Sequence, residues 1–434
     1  MLDALEDRLI RDAVTGRFTV VLFLDCNDFK RVNDTWGHHA GDTVLRDIAT
    51  RLPAVLHPRE IVARHGGDEF VVVSSTEDTA GAVSLAERVR SAFDAPLRII
   101  PGRVHAMTPA MGLALAGPDD RCTTEELLGR ADAAMYESKQ RGCGGHVVFD
   151  DALALRLRTR AEVGDRLEQV TCTDPFDIVL QPIMGGPEHR TLIGREALAR
   201  WRDPQLGDVP PDVFVPVAEQ LGLITTLGEA VLRRACREAA GLRATGEEDE
   251  VDLFVNVSPA QLRDPGFAGV VRDALATTGL PPARLRLEVT ETELVDEGPA
   301  TAETLEALRE AGIRLCVDDF GTGYASLATL LRLPVDCVKL DRSLVAGLGE
   351  SEAAERQLAA VMSLVRSLGI EDIVAEGVET EQQAIALLEL GCPLAQGWFY
   401  GRPCPSTDAL VGRHLLERRA ARRDAGGPAT AAPP

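Results

Sequence analysis

Paired cysteines are missing from this 434-residue chain: it has nine cysteines, and none falls in a C-x-x-C spacing. Their odd number and scatter exclude a disulfide framework and a zinc knuckle as organising devices. A reducing compartment is the expected setting, and the cytoplasm the expected location. Long apolar runs are missing too. The longest, Phe18 to Leu24, has the length of a strand and not of a membrane span. No secretory leader is recognisable in the first residues. Positive charge is scarce, with 46 Lys and Arg against 68 Asp and Glu and a net charge of −22. That balance argues against nucleic-acid polymers and anionic membranes as partners. An acidic protein that handles an anionic substrate needs cations at its site, and a bound metal supplies them. The histidines form no ligand spacing supported by other residues.

The length exceeds one ordinary domain, and 45% apolar residues suffice for sizeable cores. Residues 1–149 read as an α+β unit with a central, mostly antiparallel sheet. Its signals are a helix over 2–15, the Phe18–Leu24 strand, a helix from about Gly41 to Leu52, and a hairpin across Gly66–Gly67. A helix near Thr79–Phe93, a strand near Val104–Leu115, a helix near Thr124–Gln140 and a strand at Val147–Phe149 complete it. Residues 150–175 read as a helical connector. In 176–418 strands and helices alternate, with strands expected near 178, 193, 252, 285, 314, 336, 372 and 396. Eight such units predict a modified TIM-type (β/α)8 barrel. The link from Pro182 to Leu192 holds Gly185–Gly186–Pro187 and is too short for a helical crossover, so the first strand is expected to run antiparallel. Residues 419–434, rich in Ala, Pro and Gly, are expected to be disordered.

Polar and mostly acidic residues close the barrel strands: Glu196, Asn256, Glu288, Asp318–Asp319, Lys339, Glu376 and Gln396. Residues two apart on a strand share a face, so Glu196, Leu198 and Arg200 point alike, as do Lys339 and Asp341. Barrel active sites sit at these strand ends. Hard oxygen ligands gathered there suit a divalent metal acting on a phosphoryl group. Any one of these acids alone reads as a solvated loop residue. One on nearly every strand end does not.

These residues resemble the EAL family of cyclic di-GMP phosphodiesterases. The resemblance runs over 155–415, through Glu196–Ala197–Leu198, Asn256–Val257–Ser258, Glu288–Val289–Thr290–Glu291, Asp318–Asp319–Phe320–Gly321–Thr322–Gly323–Tyr324, Lys339–Leu340–Asp341, Ala375–Glu376–Gly377–Val378–Glu379 and Gln396–Gly397. It implies that Glu196, Asn256, Glu288, Asp318, Asp319 and Glu376 hold two Mg²⁺ or Mn²⁺ ions, with Glu196, Lys339 and Glu376 as the catalytic set. Lys339 would orient the attacking water or help deprotonate it. Gln181, Leu198, Arg200, Asp341, Glu379 and Gln396 would line the substrate, with Glu379 and Gln396 also supporting the metal shell. Glu291 would brace the Asp318–Tyr324 loop. The implied reaction cuts one ester of cyclic di-GMP to give linear pGpG. Every metal position is present; Pro393 departs from the acid the family often carries nearby.

In the first unit, Asp25-x-Asn27-x-Phe29–Lys30, Asn33–Asp34, Gly37–His38-x-x-Gly41–Asp42, Arg64-x-Gly66–Gly67–Asp68–Glu69–Phe70 and Ala131–Asp132–Ala133–Ala134–Met135–Tyr136-x-x-Lys139 resemble a GGDEF (diguanylate cyclase) domain. The resemblance implies Asp25 and Asp68 as ligands of the Mg²⁺ that accompanies GTP, and Glu69 as a catalytic or metal partner. Asn33 and Asp42 would read the guanine edge, and Lys30 and Lys139 would meet phosphate. Gly66 and Gly67 let backbone N–H groups approach phosphate closely. Synthesis of cyclic di-GMP from two GTP would need two facing copies, hence a homodimer. Four features depart from the family. The leading D-x-L-T-G-L-x-N-R stretch is missing, and Asp12–Ala13–Val14–Thr15–Gly16 imitates it too close to the Asp25 strand. Asn27 replaces an Asp. Cys143 stands at an Arg position. The R-x-x-D of product inhibition reads His57-x-x-Glu60. Two classes fit the whole chain: a phosphodiesterase with a GTP-binding and potentially synthetic first domain, and a receptor for cyclic di-GMP or GTP that acts through partners. The intact barrel set favours the enzyme.

Overall fold

The computed structural model describes residues 1–100, 103–140, 145–170, 175–244, 250–290, 299–321 and 335–406. The chain divides into two compact units, Met1–Thr159 and Arg160–Pro434. Expectations for Cys143, Glu291, Thr322–Tyr324 and the 419–434 tail concern residues outside those described.

The first unit contains α1 (Leu2–Thr15), β1 (Phe18–Cys26), α2 (Phe29–Trp36), α3 (His38–Val55), β2 (Ile61–Gly66), β3 (Glu69–Thr76), α4 (Thr79–Ser91), β4 (Leu97–Ile100), β5 (Arg103–His105), β6 (Pro109–Ala116), α5 (Thr124–Gln140) and β7 (His146–Val148). Its five-stranded sheet has the order β2-β3-β1-β6-β7, antiparallel except for the β6–β7 pair. β1 is central and buried along nearly its whole length, which explains its unbroken apolar run. One apolar layer, with Val20, Leu22 and Leu24, packs under α3 and α4, and the other, with Val21 and Phe23, packs under α1 and α5. The single strand expected near 104–115 is two pieces, β5 and β6. The short β4 and the helix α2 carry no clean period and were not anticipated. Asp12, in the stretch that imitates the missing motif, is buried and accepts from Thr19 Oγ1 at 2.9 Å and Ser75 Oγ at 2.5 Å. Its role there is to seat α1 on the sheet.

The helix α6 (Asp151–Val170) follows, with Leu153 packed in the first unit and Val163 and Leu167 in the second core. The second unit is a closed barrel of β8 (Phe176–Gly185), β9 (Thr191–Asp203), β11 (Asp252–Asn256), β12 (Leu285–Thr290), β13 (Arg314–Phe320), β14 (Cys337–Leu340), β15 (Asp372–Ala375) and β16 (Leu394–Gln396). The short β10 (Gly207–Val209) and β17 (Cys404–Pro405) flank it. β9 and β11 to β16 are mutually parallel, and β8 runs antiparallel to both its neighbours. The tight 186–190 turn enforces this, as the short link predicted.

The period-2 alternation of the strands sorts residues into layers. Outward positions such as Leu253, Val255, Leu287, Leu315, Val338 and Ile373 join the core beneath the surrounding helices. Inward positions stack instead. Phe254, Cys316, Cys337, Val374 and Leu394 form an apolar plug with Ile183. Each of those five lies two residues before a polar strand-end residue: Asn256, Asp318, Lys339, Glu376 and Gln396. Below the plug, Asp252 gathers Arg284 at 3.2 Å, Arg286 at 2.9 Å and Arg314 at 2.7 Å. Arg286 also pairs with Asp372 at 2.7 Å and lies over the Phe254 ring. The barrel is therefore closed by ion pairs beneath, filled by carbon and sulfur in the middle, and open to polar chemistry only at the other end.

Candidate functional site

The polar end is organised by one ammonium. Lys339, 1% exposed, places Nζ 2.7 Å from Glu376, 2.9 Å from Glu288, 3.3 Å from Asp318 and 3.4 Å from Glu196. Two amides complete the ring. Asn256 Nδ2 donates to Glu196 Oε1 at 3.0 Å, and Gln396 Nε2 donates to Glu196 Oε2 at 2.6 Å. Residues from the ends of seven strands thus converge although up to 200 positions separate them in the chain. Asp319 adds a further carboxylate. It takes a left-handed backbone, φ 54°, at the end of β13, where a register irregularity turns the strand.

The electrostatics follow from crowding and burial. Burial opposes ionisation of Glu196, but Lys339 and the Gln396 and Asn256 amides outweigh it and hold the carboxyl below its ordinary value. Glu288 goes the other way: burial, then the Glu196 charge, push it well above the carboxylate range. Glu376 is raised to about 7, first by burial and then by Asp318 and Glu196, with Lys339 opposing. Asp319 is raised by burial and by Asp318. For Lys339, burial disfavours the charge, yet the surrounding carboxylates raise it well above an ordinary lysine. It is a firm ammonium.

The donors fit a divalent cation. One carboxylate oxygen each from Asp318, Asp319 and Glu376 lies within 4.8 Å of the others. Glu288 Oε2 and Gln396 Oε1 are buried with no hydrogen-bond partner among the described residues. An oxygen left unpaired in a dry site is destabilising unless something cationic meets it. All of these are hard oxygen donors, the set that Mg²⁺ or Mn²⁺ takes.

The remaining barrel positions are distributed unevenly. Gln181 is the register partner of Glu196 and donates to Gly401 O at 3.4 Å, so it stands on the rim. Leu198 and Arg200 lie farther along β9, beside Val179 and Asp177. Arg200 NH1 donates to Ala199 O at 2.8 Å, and burial lowers its pKa. Asp341 caps a short helix at Ser343 N, 2.9 Å away, and is close enough to help raise Asp319. Glu379 is exposed, and its backbone N–H donates to Gln383 Oε1 at 2.8 Å.

In the first unit Asp25 is the penultimate residue of β1, and the β2–β3 hairpin presents Asp68 near it. Lys139 Nζ, from α5, meets Asp25 Oδ1 at 2.7 Å. Asp68 is raised by burial and by Asp25, and Glu69 by burial and Asp132. At the tip, Gly67 takes φ 48° and its carbonyl accepts from Arg64 Nε at 2.8 Å. Among the described residues nothing lies within 4 Å of where a Cβ would sit on Gly66 or Gly67, so the hairpin tip is uncrowded on that side. Asn33 packs over Gly41, where a Cβ would lie 2.1 Å from its Oδ1. Asp42 borders a cavity of about 440 Å³ with Leu45, Val62, Arg64 and Phe70. Lys30 is exposed on α2. The His57-x-x-Glu60 position is spent internally: Glu60 holds Arg88 at 2.6 and 2.9 Å and Ser74 Oγ at 2.9 Å. Arg88 was not singled out from sequence, because nothing in its local spacing marks it.

The family model "EAL domain" matches residues 166–403, and "Diguanylate cyclase, GGDEF domain" matches residues 1–144. The chain belongs to the EAL family and carries a GGDEF domain ahead of its barrel. The bifunctional diguanylate cyclase/cyclic di-GMP phosphodiesterase MucR of Pseudomonas aeruginosa is 38% identical over 411 residues, 94% of this chain and 59% of that protein. The cyclic di-GMP phosphodiesterase NbdA of the same organism is 38% identical over 393 residues, 90% of this chain and 49% of that protein. The solved PaMucR phosphodiesterase in complex with c-di-GMP is 38% identical with a TM-score of 0.53, over 57% of this chain and 99% of its own. The chain spans about half to three-fifths of the length of these curated relatives. EAL domains are metal-dependent, and this chain carries an acidic cluster in its barrel, Asp318, Asp319 and Glu376. No helix among the described residues is long and apolar enough to cross a membrane.

Proposed function

We propose that the barrel hydrolyses cyclic di-GMP to linear pGpG with Mg²⁺ or Mn²⁺. The observation that carries this is the convergence of Glu196, Glu288, Asp318 and Glu376 on one buried ammonium, with two amides orienting Glu196. Glu196, Asn256, Glu288, Asp318, Asp319 and Glu376 would hold the ions. A divalent cation bound there supplies Lewis acidity to the phosphodiester and acidifies water. Lys339 is held as an ammonium, so it donates hydrogen bonds to water and phosphoryl oxygens and does not take a proton. That supports the orienting role over the deprotonating one. Gln181 and Arg200 bind the ribose-phosphate ring, and the apolar plug keeps water from reaching the site from below.

On the same reasoning the first unit binds GTP with Mg²⁺ through Asp25 and Asp68, Lys139 exchanging its carboxylate partner for phosphate. Two copies facing each other would be the assembly for synthesis. The protein would work in the cytoplasm, where both guanine nucleotides are available. The test is direct: the purified chain, given cyclic di-GMP with Mg²⁺ or Mn²⁺, should yield pGpG. Tight binding with no product under either metal would refute the enzymatic reading and leave a receptor.

A further inference from the structure

The chain has three tryptophans. Trp201 is packed in the barrel core at 2% exposure, but Trp398 is 60% exposed. Slack backbone does not explain that exposure. A Cβ on Gly397 would lie 2.2 Å from Val378 O, so the chain is pressed against its neighbour there. Phe399 N donates to Val378 O at 2.9 Å, and Gly401 N to Gly397 O at 3.0 Å. Tyr400 is buried, and its hydroxyl meets buried His189 Nδ1 at 2.9 Å, while His189 Nε2 lies 2.8 Å from Cys392 O. The turn is anchored on both sides of an indole left in water.

The location is specific. Gln396, two residues earlier, donates to Glu196, and Gln181, the register partner of Glu196, donates to Gly401 O. Val378, which holds the turn, follows Glu376 by two residues. The turn therefore bridges the Glu196 and Glu376 sectors of the barrel rim. Arg402 Cζ lies 5.0 Å from the Trp398 ring centroid, a cation–π contact. Arg402 makes no ion pair with a carboxylate among the described residues, although acids outnumber bases in this chain. A π face and a guanidinium with no carboxylate partner among the described residues, beside a phosphodiester site, match a purine base joined to phosphate.

We propose that Trp398 is a stacking platform for one guanine ring of the cyclic dinucleotide, with Arg402 holding the indole and attracting the adjoining phosphate. This rests on the phosphodiesterase reading of the same rim. Stacking on an aromatic side chain acts on binding, since it is made equally before and during bond cleavage.

The test is steady-state hydrolysis of cyclic di-GMP by the full chain and by Trp398→Ala, Trp398→Phe and Arg402→Gln, with tryptophan emission titrated with cyclic di-GMP after metal removal. Trp398→Ala should raise KM about ten-fold and leave kcat within about two-fold, the loss expected for one base–aromatic stack. Trp398→Phe, which keeps a π face, should hold KM near that of the unaltered chain, and Arg402→Gln should raise KM by less than Trp398→Ala. Cyclic di-GMP should quench the unaltered chain and quench Trp398→Phe far less. An unchanged KM in Trp398→Ala, a loss of kcat at constant KM, or equal quenching in Trp398→Phe would overturn the assignment. Should Trp398→Ala melt early, Trp398→Phe and the emission titration decide. If the unaltered chain neither binds nor cleaves cyclic di-GMP, the phosphodiesterase reading itself fails, a result separable from failure of the platform alone.

Discussion

Replacing Lys339 by Met keeps the volume of the side chain and deletes the charge that four carboxylates share. Removing one member of a buried ion cluster costs about 3–5 kcal/mol, because the partners stay buried without compensation. The carboxyls limit that loss by binding protons. Protonating an ordinary carboxyl of pKa about 4.5 costs roughly 1.4 kcal/mol at pH 5.5 and roughly 5 kcal/mol at pH 8. A carboxyl whose folded pKa is raised stabilises the fold at low pH, and that contribution is lost as pH rises through the folded value. The deficit of Lys339→Met should therefore grow with pH, by up to about 3 kcal/mol between these conditions for one extra proton. For a unit of this size each kcal/mol moves the melting temperature by roughly 2–4 °C, so a shift on the order of 10 °C is expected at pH 8. A divalent cation should take over the role of the missing ammonium. Thermal melts of both proteins at the two pH values, in EDTA and in millimolar Mn²⁺, measure all of this. Equal deficits at the two pH values, or a deficit that Mn²⁺ leaves unaltered, would refute the account of Lys339 as the counter-charge of the metal-free site.

Glu196→Ala should lower hydrolysis by roughly a thousand-fold or more while far-UV circular dichroism stays unchanged, since it removes a carboxylate of the proposed ligand set and no packed apolar side chain; retained turnover would move the ligand set elsewhere. With Glu288 well above the carboxylate range and Glu376 at about 7, metal binding near neutrality must expel protons. Affinity for Mn²⁺ should rise with pH through that region, and calorimetry in buffers of different ionisation enthalpy would show proton release; a pH-independent affinity contradicts it. In the first unit Arg88, with Ser74 and the His57 N–H, outweighs burial and holds Glu60 below its ordinary value. That stabilisation is present above the unfolded carboxyl range and fades as pH falls through the lower folded value. Arg88→Gln should destabilise the unit by about 2 kcal/mol at neutral pH, and urea titrations should show the gap closing on acidification.

Much of the candidate site is legible in the sequence, for a local reason. On a strand, the residue at the open end of an inward face is set by a period of two, so Glu196, Glu288, Asp318 and Glu376 could be placed from spacing together with family motifs. The antiparallel first strand was legible too, because the link after Pro182 is too short to cross over. Helix α2 and strand β4 were not, since their apolar residues are too few to impose a period. The pairing of Asp25 with Lys139 spans 114 residues and that of Glu60 with Arg88 spans 28. Neither leaves a trace in local pattern.

The amino-acid order alone determined which side chains close each strand and what chemistry their oxygens can perform, because alternation and hard-donor identity are properties of short segments. Only the closed barrel decided that one lysine would sit among four of those acids and split their proton affinities. It also decided that a tryptophan two residues past Gln396 would stand exposed at their rim. Those outcomes depend on distances between residues far apart in the chain, and such distances do not exist until the sheet closes.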